Sequence, residues 1–242
     1  MSTERSLLVV QDLEITVARK NIKNLHLGVY PPDGRVRVSA PRHLDDEAIR
    51  LAVISRLGWI RRQQRRFAEQ ERQSQREMVS GESHYFAGRR YRLDVIVRPG
   101  RPSVQLRGNA YIELSVPPDA DRAARERILE RWYRARLRER IPPLLEKWQP
   151  VIGVSVDEVR IKKMKTLWGS CNIEARRIWL NLELMKKSPQ CLEYILVHEM
   201  VHLLERRHNE RFQRFMDRFL PNWRLLRQEL NRAPLAHADW GY

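Results

Sequence analysis

Three of the chain's seven histidines, His198, His202 and His208, fall within eleven residues. Glu199 follows the first of them, so the stretch reads H-E-x-x-H-x-x-x-x-x-H. Residues four apart on a helix are offset by only about 40° and about 6 Å, so His198 and His202 project from one face. Their ring nitrogens can then converge on one ion at about 2.0–2.1 Å. Glu199 sits beside the first ligand, where a carboxylate can take the proton of a metal-activated water. This is the zinc metallopeptidase pattern, with Glu199 as catalytic general base and an amide, above all a peptide bond, as the group cleaved. Without a metal, two histidines and a glutamate in a buried helix would be left short of partners, at a cost.

Two residues compete as third ligand. Glu205 lies seven residues after His198 and keeps roughly the same face if the helix continues. His208 lies roughly 240° beyond His202 and about 9 Å along, so it reaches the ion only if the helix ends first. Arg206-Arg207-His208-Asn209 offers that exit, since Asn tolerates the left-handed conformation that ends helices. Neutral imidazole is the usual zinc ligand, so His208 is preferred over Glu205. The expected cofactor is one Zn2+ per chain.

These residues must be positioned by a helix and by what precedes it. Ser188 can cap the helix and Pro189 suits its first position. Leu192, Ile195, Leu196, Val197, Met200, Val201, Leu203 and Leu204 leave hardly any polar face, which marks a buried helix. Upstream, Lys165 to Asn172 and Arg177 to Leu182 read as a hairpin leading into that helix. One of its strands is expected at the edge of a small sheet beside the metal, where an extended peptide can add to unpaired backbone groups. Gly169 would permit the close approach this needs. Trp168, Gly169, Ser170 and Asn181 are therefore the candidate substrate contacts. The competing reading makes the segment a support for the helix, with Trp168 and Trp179 in the core. Ser170 and Cys171 sit in no nucleophile elbow, and Cys171 as a fourth ligand would close a site that hydrolysis needs open.

Further from the motif the chain is β-rich first and helical later. Leu13 to Val17 alternates as a strand. Leu25 to Tyr30 and Arg35 to Ser39 form an antiparallel hairpin around the turn Pro31-Pro32-Asp33-Gly34. Asp45-Asp46-Glu47 opens a helix with Ile49, Val53, Leu57 and Ile60 at helical spacing and Trp59 as its anchor to the core. His84 to Val97 reads as two strands around Gly88. Val104 to Arg107 and Tyr111 to Val116 flank Gly108-Asn109, a hairpin signal. A long amphipathic helix then runs from about Arg122 to about Trp148, with Ile128, Trp132, Ala135 and Leu144 as its apolar stripe. Pro142-Pro143 should kink or divide it. After His208, Phe212, Phe215 and Phe219 mark another helix, Pro221 ends it, and Trp223 begins the last. No internal repeat is visible at solenoid periods.

The 242 residues are enough for one large domain or two lobes, with a core that needs no staples. Two cysteines, Cys171 and Cys191, make no disulfide framework and point to the cytoplasm. No segment reads as a signal peptide or a membrane span. The net charge is +16, from 46 Lys and Arg against 30 Asp and Glu. That excess admits nucleic acid as a partner through a basic surface, beside the peptide or protein substrate. The runs themselves give no aromatic-interleaved platform for a single strand. The alternative to a peptidase acting alone is thus a DNA-associated protease or nucleic-acid-binding protein.

Leu167-Trp168-Gly169-Ser170-Cys171, Ile178-Trp179-Leu180-Asn181, His198 to His202 and His208-Asn209-Glu210-Arg211-Phe212 together resemble the YgjP-like metallopeptidases, predicted metal-dependent hydrolases. Trp59-Ile60, Gly88-Arg89-Arg90-Tyr91 and Arg131-Trp132-Tyr133 extend the likeness over most of residues 12 to 232. SprT-like and WLM proteases are more distantly similar. The resemblance implies zinc at His198, His202 and His208 with Glu199 catalytic, and fixes no substrate. The expected fold class is α+β. A β-rich N-terminal lobe (1–118) precedes a zincin-like metallopeptidase lobe (119–232) carrying the HExxH helix, and 233–242 form a tail.

Overall fold

The computed structural model describes residues 4–30, 34–69, 76–164 and 167–232. The turn expected over Pro31 to Asp33, the start of the hairpin at Lys165 and Thr166, and the tail from residue 233 lie outside the described residues. The fold is mixed α and β, with six α-helices and three small sheets among the described residues. No described helix is long and apolar enough to cross a membrane.

The chain separates into two compact units, the smaller ending at residue 72 and the larger beginning at 73. In the smaller, strands β1 (Glu4–Val10), β2 (Leu13–Lys20), β3 (His26–Tyr30) and β4 (Arg35–Pro41) form a sheet of order β1-β2-β4-β3. β1 covers the short apolar run at Leu7 to Val10. Leu8, Val10, Ile15, Val17, Val36 and Val38 share the buried face, as period-two alternation requires. Helices α1 (Asp46–Ile54) and α2 (Leu57–Glu69) pack there through Ile49, Val53 and Ile60. Asp45 caps α1 by accepting the Ala48 N–H at 2.8 Å. One continuous helix was expected here; the chain instead breaks at Ser55-Arg56. Trp59 is 38% exposed and is not part of this core, where Ile60 takes the inward position.

The larger unit has one core that runs from the second sheet to the last helix. The boundary expected at residue 118 therefore falls inside this unit. β5 (Ser83–Phe86), β6 (Arg89–Val97), β7 (Ser103–Arg107) and β8 (Tyr111–Val116) are ordered β5-β6-β8-β7. Helix α3 (Arg122–Ile152) follows, capped by the Asp121 carboxylate on the Ala124 N–H. Its buried stripe is Leu129, Tyr133, Leu137, Ile141, Trp148 and Ile152, one residue round from the stripe expected. The prolines do not divide it. Pro142 and Pro143 lie on the exposed side, where the carbonyls they leave unbonded meet water, while Ile141 and Trp148 hold both halves to the core.

The third sheet carries β9 (Glu158–Lys162), β10 (Gly169–Asn172) and β11 (Arg177–Asn181) in the order β10-β11-β9. All three sheets repeat one arrangement: two strands lie parallel, and the strand between them in sequence lies antiparallel on the outer side of the second. That arrangement makes β10 an edge. A 3-10 turn over Leu182–Lys186 leads into α4 (Pro189–Val201), followed by α5 (Glu210–Phe219) and α6 (Trp223–Arg232).

Candidate metal centre

Helix α4 is buried on nearly every side, with Leu192, Ile195, Leu196, Val197, Met200 and Val201 all in the core. Pro189 occupies its first turn as expected. Ser188 stands at the N-cap position, but its hydroxyl makes no cap bond and lies 2.9 Å from Glu229 Oε1 on α6. The β5–β6 turn docks on the same entry, with the Ala87 and Gly88 N–H groups donating to Met185 and Lys186 carbonyls. Gly88 has φ +79, and a Cβ there would stand 3.1 Å from Ser188 Cα.

The helix ends at Val201 with His202 as C-cap, several residues before the expected exit at Arg206 to Asn209. The N–H groups of Leu203 and Leu204 bond to the carbonyls of Met200 and Val201, a tighter last turn that takes the chain off the helix axis. Asn209 does not end α4. Its extended backbone and side chain start α5, accepting the Phe212 N–H at 3.0 Å. This break returns His208 to the face bearing His198 and His202.

One ring nitrogen from each of the three histidines lies within 4.8 Å of the other two. His198 Nε2 and His208 Nε2 are 3.0 Å apart. Ligands about 2.05 Å from a tetrahedral ion stand about 3.3 Å from one another, so little movement separates this cluster from coordination. The His202 Nδ1–H donates to the Glu205 carbonyl at 3.1 Å, which turns the Nε2 lone pair toward the cluster. His198 Nδ1 is buried with no hydrogen-bond partner among the described residues. Burial first, and mutual repulsion second, hold His198 in the neutral form down to about pH 3. Burial likewise lowers His202 and His208. Three neutral imidazoles with converging lone pairs are the donor set a divalent transition metal requires. Glu205 is not in the cluster: its carboxylate accepts the Arg207 N–H and lies 3.9 Å from Arg211.

Phe212 was legible only as one ring of a helical stripe. Its centroid lies 4.8–4.9 Å from all three imidazoles, and it is buried. It forms the floor against which the rings are held. Tyr194, one turn before His198, meets that ring edge-on and stacks on Trp223 of α6.

Glu199 is 5% exposed, and burial pushes its carboxyl up to about 8. It lies against Gly169 of the edge strand. A Cβ on Gly169 would stand 2.6 Å from Glu199 Oε1 and 2.8 Å from Ile195 Cγ2. The glycine is therefore required for β10 to pack on α4. His198, Glu199, His202 and His208 open into a cleft of about 970 Å³ that Gly169 to Glu174 also line. Of the four candidate substrate contacts, Gly169 and Ser170 line this cleft. Trp168 does not; it packs on the core with the Lys187 ammonium over its ring. Asn181 is fully buried. Its amide donates to the Met164 and Leu167 carbonyls and accepts the Glu183 N–H, so it fastens the segment before β10 rather than facing a ligand.

Histidine triad, buried carboxylate and edge strand share one cleft, the kind of site a metallopeptidase uses. A model of the YgjP-like, metallopeptidase domain matches residues 23–233, and the chain belongs to that family. It is thus a hydrolase of the metallopeptidase class, a class that implies a divalent metal. The chain is also similar to the crystal structure of the metallopeptidase zymogen of Pyrococcus abyssi abylysin. Identity there is 22% and the TM-score 0.34, over 36% of this chain and 89% of that one. No curated protein matches.

Proposed function

We propose that the chain is a zinc metallopeptidase, with His198, His202 and His208 holding the ion, Glu199 as general base and the lobe around α4 zincin-like. The convergence of three neutral imidazoles beside a buried carboxylate carries this reading. An ion held there would supply Lewis acidity, activating a water and polarising the scissile carbonyl. Glu199 accepts the proton of the attacking water and returns it to the leaving nitrogen. Burial strips the Glu199 carboxylate of water and makes it a stronger base than an exposed one, while a cation held by the triad would draw its pKa back down so that it is ionised and ready to accept the proton.

The edge strand supplies the orientation. β10 pairs with β11 on one side only, and its residues line the cleft. An extended peptide adding there presents successive carbonyls to the triad. Gly169 and Ser170 act through their backbone in this pairing. Two free thiols, Cys171 and Cys191, support a reducing cytoplasmic setting.

Glu199→Gln tests the assignment. The variant should keep its metal by elemental analysis and lose peptide hydrolysis by about 10²-fold or more. Hydrolysis at the parent rate would remove Glu199 from the mechanism.

A further inference from the structure

The outer face of the second sheet turns away from the core. Tyr91, Leu93, Ile112 and Leu114 point inward and are buried. Their neighbours in sequence point the other way, by the alternation of a strand. Strand pairing then gathers residues that are far apart in the chain. Tyr85 stands opposite Arg90. Arg92 stands opposite Tyr111, and Tyr111 opposite Arg107. All five are exposed, both tyrosines at 38%. The Arg107 guanidinium lies over the Tyr111 ring, 4.9 Å from its centroid.

The acidic groups on this face are engaged. Asp94 pairs with Arg107 at 2.7 Å, and Glu113 accepts from Gln105 at 2.8 Å. The Arg90 and Arg92 side chains have no ion-pair or hydrogen-bond partner among the described residues, so the uncompensated charge is cationic and sits between the two rings. The tyrosines are two strands apart and offset by two residues, a diagonal of about 12 Å.

We infer that this face binds single-stranded nucleic acid. Tyr85 and Tyr111 supply planes on which bases stack, and the Arg107 guanidinium, which lies over the Tyr111 ring, adds a further flat cation to that stack. Arg90 and Arg92 neutralise the phosphates of the strand passing between them. Exposed rings interleaved with unpaired arginines fit a polymer that alternates flat bases with anionic phosphates. An acidic peptide would use the arginines and leave the rings idle. The inference stands apart from the hydrolytic reading and survives or fails without it.

The test is fluorescence anisotropy of the full chain with a labelled thymidine dodecamer and with a duplex of the same length, from 50 to 300 mM NaCl. The single strand should bind more tightly than the duplex. Tyr85→Ala and Tyr111→Ala should each weaken it about 5- to 100-fold with the salt dependence kept. Tyr111→Phe should bind like the parent. Arg90→Glu with Arg92→Glu should lower the slope of log K against log salt by about 1.4. Should Tyr111→Ala melt early, Tyr111→Thr, a good strand former without a ring, is expected to show the same loss. No binding at 50 mM, equal affinity for the duplex, or tyrosine variants that bind like the parent would overturn the inference.

Discussion

Replacing Glu199 by Gln should stabilise the metal-free protein, and only at neutral and alkaline pH. An unfolded glutamate titrates near 4.5, whereas burial in the cleft raises Glu199 to about 8. Between these values the folded state holds a proton that the unfolded state has released, so stability falls as pH rises. The cost is absent below about 4.5 and complete above about 8. At 1.36 kcal/mol per unit the displacement corresponds to about 5 kcal/mol, and hydration through the open cleft reduces what is measured. Glutamine keeps the shape and removes the charge. With chelator present, urea denaturation should give parent and Glu199→Gln similar stability at pH 5. At pH 8.5 the variant should be more stable by about 2–5 kcal/mol. Restoring the metal should shrink that gap, because a cation beside the carboxylate offsets the burial. A difference that stays flat from pH 5 to 8.5 would refute the argument, since Glu199 would then titrate alike in both states.

His208→Ala should lose most of the bound metal in elemental analysis, while Glu205→Gln keeps it, because the Glu205 side chain turns to Arg207 and Arg211. The reverse result would move the third ligand. Gly169→Val should lose thermal stability and hydrolysis together, by about 1–3 kcal/mol for the overpacking, since its side chain meets Glu199 and Ile195. A loss of hydrolysis with an unchanged melting temperature would instead mean that Gly169 serves the substrate alone. Asn181→Ala should cost about 2–4 kcal/mol in chemical denaturation, because it strands the Met164 and Leu167 carbonyls and the Glu183 N–H. A KM effect without that loss would return Asn181 to substrate binding.

The histidine cluster was legible because most of it is local. Four-residue spacing on a helix fixes which side chains share a face, so His198, Glu199 and His202 needed no tertiary knowledge. Strands showed through alternation, and the hairpins at Gly34, Gly108 and the β10–β11 turn through their short separations. His208 lay at the limit: its choice over Glu205 followed from ligand chemistry, but the place where α4 stops did not. That is set by the tight turn from Met200 to Leu204 and by Asn209 starting a new helix, features whose energies differ by too little for composition to rank.

What only the folded chain decided concerns neighbours distant in sequence. Nothing in the order of residues says that β2 lies beside β4, β6 beside β8, or β9 beside β11, because parallel pairing is closed by long-range contacts and not by a turn. Yet that pairing puts β10 at an edge, Gly169 against Glu199, and Tyr111 between Arg92 and Arg107. Asn181 reads in sequence as a polar residue near a site, and burial makes it a fastener. Trp59 reads as an anchor, and one residue of helical phase gives the core position to Ile60 instead. Periodicity assigns an inward face only to within a neighbouring residue, while packing density accepts one phase alone.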